Sequence, residues 1–550
     1  MTILICQACG HTQPYVLLAT TVCERCQNDW LEASYDYAAF KTSVAAGELR
    51  DLPWSLWRYA AVLPIAAPHE PLMVGGTPLH HARRYGATVG HQHIYIKDER
   101  YGPTNSFKDR QAALAVAALG AAGNAECVIA STGNAAVAYA AACAAAGIKL
   151  WVFMTSMVPE AKLREAALFG AEVIKVSGNY DQTKQIAADF AQTRGIPYDR
   201  GANSIPAREA MKTIAYEISE QLGWRAPDWY IQAVSGGLGP LGVARGFDEL
   251  HAMGLTQRVP ALGIVQADGC APMVHAFKAG LSVATKVVPT TRIAILSTGD
   301  PGKTYTRLWH TTQKAGGAME SVSDEAAFVA MNTLARTEGI SVEPATAVAF
   351  AGFEKMLQQG QIAPDAVVVI NCTGHTFPVD KHVLADEWHI TVHVSDDQQA
   401  APQEGLEAAL ENLNERATTV LLIDDNPDDA ALVQRILERR KSYRVFRAQN
   451  GADGIQQAVQ RLPDAIVLDL MMPQVDGFAV LATLKHNPRT KNIPIIVVSA
   501  KDITPAERSQ LAAQAEAVYQ KGSLSPVAFA AHVVHVVEHR ERLGGNERKP

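Results

Sequence analysis

The chain carries little net charge of either sign and no basic block interleaved with aromatic residues. Lys and Arg number 49 against 56 Asp and Glu, a formal charge of -7 over 550 residues, so nucleic acid is not an expected partner. The opening MTILICQACG lacks a positive region ahead of an apolar one, and no stretch reaches ~18 uncharged apolar residues. Neither a secretion signal nor a membrane span is therefore expected, and the sequence places the chain in the cytosol. The Ala-rich run Ala135–Met154 comes nearest to a span, but Gly147 and Lys149 break it. It reads as a buried helix followed by the strand KLWVFM. Internal repeats and low-complexity tracts are also missing. The length leaves room for three or four domains, each with its own core.

Of eight cysteines, Cys6, Cys9, Cys23 and Cys26 form two CxxC pairs. A reducing cytosol keeps such pairs as thiols, and four thiolates at this spacing suit one tetrahedral, structural zinc. Residues 1–40 are read as a zinc-ribbon-like module. After a Trp- and Pro-rich connector, Leu52–Pro68, short β-branched runs (IYIKDE, CVIAST, KLWVFM, AEVIKV, DWYIQAV, ALGIVQA, AVVVIN) alternate with Ala-rich helices. The pattern predicts an α/β region over residues 50–395, with parallel sheets covered on both faces and ligands at the carboxyl ends of the strands. Residues 396–417 are polar and acidic. They read as a linker, or as a short dimerising helix given the spacing of Leu406, Leu410 and Leu413. A second α/β domain of five strands follows over residues 418–541, and residues 542–550 read as a disordered tail.

Lys108, in PTNSFKDR, sits at a predicted helix start. Free backbone N–H groups there favour an anion, and partial desolvation lowers a lysine's pKa toward a usable nucleophile for imine formation. Three further segments each follow a strand. Asn134 in STGN can donate to a phenolic oxygen of a pyridine cofactor; VSGGLG (Val234–Gly239) can turn several N–H groups onto one phosphate; Thr373 in CTGHT can face a ring nitrogen.

Through WRYAAVLPI, GGTPL, PTNSFKDR, STGNAAVAYAAACAAAG, PEAKLREAALFGAEVIKVSGNYD, PDWYIQAV, GGAMESVSDE, EGISVEPATA and CTGHTFP, the region from Trp57 to Lys381 resembles threonine synthase. It is similar to the fold type II, tryptophan-synthase-β-like pyridoxal phosphate enzymes in general. The cysteine ribbon followed by Tyr35 and Asp36 extends the resemblance. It implies a two-domain α/β core, pyridoxal 5'-phosphate on Lys108, and Lys108 as the acid and base that moves substrate protons. It further implies Asn134 at the ring oxygen, Ser235, Gly236, Gly237, Leu238 and Gly239 at the cofactor phosphate, and Thr373 at the ring nitrogen. NSIPAREAMKT resembles the family's substrate-phosphate segment, which implies Asn203, Ser204 and Arg208 as ligands for the phosphate of O-phosphohomoserine. The implied assembly is a homodimer. Three features depart from the family pattern: Asn105 stands where a glycine is usual, the substrate-phosphate segment is short and lacks its second Asn, and TGHTFP replaces TGHGLKDP. Cysteate-synthase-like β-replacement, amino-acid β-elimination and a non-catalytic signalling scaffold are therefore retained as alternatives.

The C-terminal α/β domain resembles a flavodoxin-like (βα)5 response-regulator receiver. Asp424, Asp425, Asp469, Ser499 and Lys521 all fall at strand ends. Clustered carboxylates imply Mg²⁺ on Asp424, Asp425 and Asp469, with Asp469 as phosphoryl acceptor, Lys521 pairing with its charge and Ser499 turning toward the new phosphate. A histidine kinase or another phosphodonor is the implied partner. Val518 replaces the usual aromatic switch, Gly522 the usual proline, and Tyr519 is the candidate substitute.

Overall fold

The structure is a computed structural model. It describes residues 2–17, 22–131, 133–156, 158–178, 180–375, 390–392, 418–427, 429–430, 433–434, 443–473, 475–499, 503–504, 507–508, 511 and 514–520. The expected linker 396–417, Lys521, Gly522 and the tail 542–550 lie outside these residues. The chain divides into two compact units, Met1–Gly405 and Leu406–Pro550.

Unit one begins with three antiparallel strands, β1 (Ile3–Cys6), β2 (Thr12–Pro14) and β3 (Leu31–Ser34), in the order β2-β1-β3. Each CxxC pair ends in a left-handed residue, Gly10 or Gln27. The same turn closes both knuckles, with Gly10 N donating to Cys6 O and Gln27 N to Cys23 O, each at 2.9 Å. Leu4, Leu31 and Ala33 turn inward and pack on Ile205. Asp36 caps the helix Tyr37–Ala46, and Tyr35 donates to Glu209 at 2.8 Å.

The strands that follow are β4 (Leu79–His81), β5 (Ile94–Asp98), β6 (Glu126–Ser131), β7 (Lys149–Thr155), β8 (Glu172–Val176), β9 (Tyr198–Asp199), β10 (Trp229–Ala233), β11 (Ala261–Ala267), β12 (Ala318–Val322), β13 (Val368–Cys372) and β14 (Ile390–Val392). They form two sheets, β12-β11-β10-β13-β5-β4 and β14-β8-β7-β6-β9. Every pairing is parallel except β4 on β5. Central strands such as β13 are buried throughout, which is why they read as unbroken apolar runs. Their helices pack closely because the contact residues are small. A Cβ on Gly242 would lie 2.4 Å from the Met211 Cβ, and one on Gly246 would lie 2.5 Å from Lys212 O. Helix Leu238–Ala252 therefore needs glycine where it crosses helix Ile205–Gln221.

Helix Lys108–Ala121 is anchored at its first turn by Arg110, which is 1% exposed. Its guanidinium donates to Glu99 at 2.6 and 2.8 Å and to Glu217 at 2.6 and 2.8 Å. Lys97 donates to Glu217 at 2.7 Å. Burial works against the Glu217 charge, but Arg110 and Lys97 hold its carboxyl well below the usual range.

Unit two contains β15 (Thr418–Ile423), β16 (Tyr443–Ala448), β17 (Ala465–Leu468), β18 (Ile495–Ser499) and β19 (Ala517–Gln520). All are parallel, in the order β16-β15-β17-β18-β19. In chain order this is 2-1-3-4-5, the flavodoxin-like winding expected from the sequence. Among the described residues no helix is long and apolar enough to cross a membrane.

Candidate active site

Four chain segments leave the carboxyl ends of β5, β6, β10 and β13 and enclose a cavity of about 770 Å³. Lys108, Asn134, the run Ser235–Gly239 and Thr373 all line it. The loop before Lys108 is braced by Asp109, which accepts from Thr104 N at 3.0 Å, and by Phe107 N donating to Thr373 O at 3.0 Å. Asn105 has φ +55. It occupies the left-handed conformation that a glycine would take, and Asn tolerates that region better than other side chains. The departure at this position is therefore compatible with the turn.

Lys108 Nζ donates to Gln111 Oε1 at 3.0 Å and lies 4.7 Å from the centre of the Phe107 ring. Burial pulls its ammonium down to about 8, against the opposing pull of the Asp199 carboxylate. Across the cavity, Gly237 has φ +84 and precedes helix Leu238–Ala252. A Cβ there would meet Leu308 Cδ1 at 2.5 Å, whereas one on Gly236 would meet nothing within 4 Å. The loop thus combines an obligatory glycine, open space and a helix N-terminus whose N–H groups suit a phosphate. Ser235 and Thr298 share a hydroxyl hydrogen bond of 2.6 Å beside it.

Asn134 and Thr373 meet through a residue that the sequence reading missed. Asn134 Nδ2 donates to Glu343 Oε2 at 2.8 Å, and Thr373 Oγ1 donates to Glu343 Oε1 at 3.0 Å. Glu343 is buried, and burial raises its pKa. EGISVEPATA contains this carboxylate just before the helix Pro344–Gln358; a charged residue at the head of an apolar segment was the available signal. Asn134 Oδ1 is buried without a hydrogen-bond partner. A desolvated amine and an anion cradle in one cavity fit pyridoxal phosphate, with Lys108, Asn134, Thr373 and the Ser235–Gly239 loop as the groups that would hold it.

The predicted substrate-phosphate residues do not come together. Asn203 lines the cavity. Ser204 caps helix Ile205–Gln221 by accepting from Ala207 N. Arg208 is absent from the cavity wall: its guanidinium donates to Leu31 O at 2.6 Å and Ala202 O at 3.2 Å and lies 4.1 Å from the centre of the Trp30 ring. The Leu31 carbonyl and the Trp30 indole of the cysteine module, together with the Ala202 carbonyl, account for its burial. The cations that do line the cavity are Lys108, Lys184, Arg200 and Lys286.

Two carboxylate and thiol clusters lie outside this cavity. Ligand atoms of Cys6, Cys9, Cys23 and Cys26 all fall within 4.8 Å of one another, as do those of Asp424, Asp425 and Asp469. Ser499 ends β18 and is buried.

Residues 71–374 match the family described as pyridoxal-phosphate dependent enzyme, and the chain belongs to that family. Threonine synthase of Methanosarcina acetivorans is 33% identical over 356 residues, 64% of this chain and 86% of that protein. Threonine synthase of Methanocaldococcus jannaschii is 35% identical over 375 residues, 67% of this chain and 91% of that one. The Mycobacterium tuberculosis threonine synthase is 34% identical over 330 residues, 59% and 88% of the two chains. Within its family the chain is accordingly a threonine synthase-like lyase. Residues 420–526 match the response regulator receiver domain, so the lyase is fused to a receiver.

Only a neutral amine acylates. In full-length protein freed of cofactor, modification of Lys108 should therefore rise with pH through a midpoint near 8, against ~10.4 for an ordinary lysine. Peptide mass spectrometry across pH 6–11 reads the midpoint; a value at the ordinary one would remove desolvation from the account.

Proposed function

We propose that unit one converts O-phosphohomoserine and water into threonine and phosphate. The observation that carries this reading is the convergence of a desolvated Lys108, a glycine cradle and the Asn134–Glu343–Thr373 group in one cavity. Bound pyridoxal phosphate supplies an electron sink for negative charge developing on the substrate carbons. Lys108 Nζ would hold the cofactor and, when free, would take the substrate's α-proton and return protons along the substrate chain. The Ser235–Gly239 loop binds the cofactor phosphate. Asn134 would meet the ring oxygen through its second Nδ2 hydrogen, and Thr373 would serve the ring nitrogen by turning its one hydroxyl proton away from Glu343, which accepts from both side chains.

For the substrate phosphate, Asn203 keeps the role suggested by its sequence. Arg208 belongs instead to the contact between the cysteine module and the enzyme core, which favours a second reading. In it, a related lyase eliminates or replaces a β-substituent on an unphosphorylated amino acid.

The four thiols support a structural zinc. Sγ separations of 3.5 Å for Cys6–Cys26 and 3.7 Å for Cys9–Cys23 approach the ~3.8 Å edge of a tetrahedron with ~2.3 Å Zn–S bonds. Asp424, Asp425 and Asp469 would hold Mg²⁺, and Asp469 would accept a phosphoryl group that biases the lyase or its assembly. Lys521, outside the described residues, would pair with that group.

Incubation of the loaded enzyme with O-phosphohomoserine should release phosphate, and Lys108→Ala should lower the rate by about 10²–10⁴-fold. Bound cofactor without phosphate release would overturn the threonine synthase reading. A small phosphodonor should change activity or sedimentation of the full chain, and Asp469→Asn should abolish the change; identical behaviour with and without donor would remove regulation from the proposal. Metal analysis should return about one zinc per chain, and none would contradict the ribbon assignment.

A further inference from the structure

Lys108 does not stand alone in its cavity; it is the first member of a hydrogen-bonded chain drawn from three elements. Its Nζ donates to Gln111 Oε1 at 3.0 Å. Gln111 Nε2 donates to the Tyr139 hydroxyl at 3.3 Å, and that hydroxyl donates to Asp199 Oδ2 at 2.8 Å. Asp199 is tethered in turn by Gly201 N, at 2.7 Å from its other oxygen. Gln111 and Tyr139 are buried, at 4% and 1% exposure. Water therefore competes poorly for these bonds.

The chain has a direction. A tyrosine hydroxyl has one proton, and Asp199 takes it, so the phenolic oxygen faces Gln111 as an acceptor. The Gln111 amide must then turn its NH₂ toward Tyr139 and its carbonyl toward Lys108. A carboxylate across the cavity thus decides which end of an amide the lysine meets.

The other charged groups on the wall are otherwise engaged. Asp181 pairs with Lys184 and Lys286, and Glu343 holds Asn134 and Thr373. Asp189 accepts from Gln185 and Asp300 from Gly302 N, while Arg200 lies over the Tyr198 ring. Asp199 is the carboxylate whose charge acts on Lys108.

We propose that Gln111, Tyr139 and Asp199 are positioning residues for Lys108, holding its free amine against the Gln111 carbonyl so that it is aimed and ready to receive the substrate's α-proton. The inference rests on the reading of Lys108 as the proton-transferring group. In the step it serves, the substrate Cα–H bond breaks, its electron pair stays on carbon, and the proton forms a new N–H bond at Nζ. The opposing charge of Asp199 favours the ammonium that results.

Two measurements test it. In the pyridoxal-phosphate-loaded full chain, Tyr139→Phe keeps the ring and removes the link. It should lower kcat about tenfold, the worth of one hydrogen bond, with KM and cofactor affinity unchanged within about twofold. Adding Gln111→Glu to that variant should restore kcat, because a carboxylate offers an acceptor whichever way it turns. Unchanged kcat in Tyr139→Phe, or a loss that follows cofactor affinity and is not restored, would overturn the proposal.

The second measurement is independent of substrate. In the full chain stripped of cofactor, at pH 7, Asp199→Asn should acylate Lys108 faster than the parent, since less of the amine is held as ammonium. Equal or slower labelling overturns the role of Asp199. A parent enzyme that releases no phosphate would sink the threonine synthase reading while this labelling result still decides the inference.

Discussion

The burial of Arg110 between Glu99 and Glu217 is the constraint on which the enzyme unit depends. Lys97 completes the set, so two cations and two anions sit together with almost no exposure. Charges in such surroundings are tolerable only when every hydrogen-bonding position is filled, and removing one partner of a buried pair costs about 3–5 kcal/mol. Thr213 accepts from Arg110 at 3.0 Å, and Thr77 and Gln221 complete the Lys97 ammonium. Four pieces of chain meet here: β5, the GGTP turn, helix Lys108–Ala121 and helix Ile205–Gln221. Arg110 lies two residues after Lys108, so the cluster that locks the guanidinium also fixes the start of the helix from which Lys108 projects.

Burial has a second consequence at the cavity, where it acts on groups with fewer partners. Lys108 is pulled down, while Glu343 and Asp199 are pushed up. For Lys108 the shift favours the neutral amine, the form that takes up a proton near neutral pH. The same burial that surrounds the Arg110–Glu217 ion pair lowers the pKa of Lys108; the difference is the number of opposing charges in reach.

Strands were legible because parallel, doubly covered strands are unbroken β-branched runs, and the segments IYIKDE, AVVVIN and IPIIVVSAK each contain one. The short edge strands β4, β9 and β12 carried no such signal, since pairing rather than composition defines them. Lys108, Asn134, the glycine loop and Thr373 were visible because each follows a strand in a compact motif. Glu343, Tyr139 and Asp199 were not, because each takes its place by contact with residues distant in sequence; Asn134 and Glu343 are separated by 209 positions. Gln111 lies one helical turn from Lys108, but its contact with Tyr139 is what orients it. Arg208 shows the opposite limit: the motif resemblance assigned it to the cavity, but the Trp30 ring and the Leu31 carbonyl hold its guanidinium elsewhere.

Everything proposed for the cavity requires that pyridoxal phosphate be joined to Lys108. Borohydride reduction of the cofactor-loaded full chain, followed by proteolysis and mass mapping, tests it most directly. A phosphopyridoxyl group is expected on the peptide containing Lys108 and on no other lysine. Attachment at a different lysine, or a loaded protein that yields no labelled peptide, would contradict it.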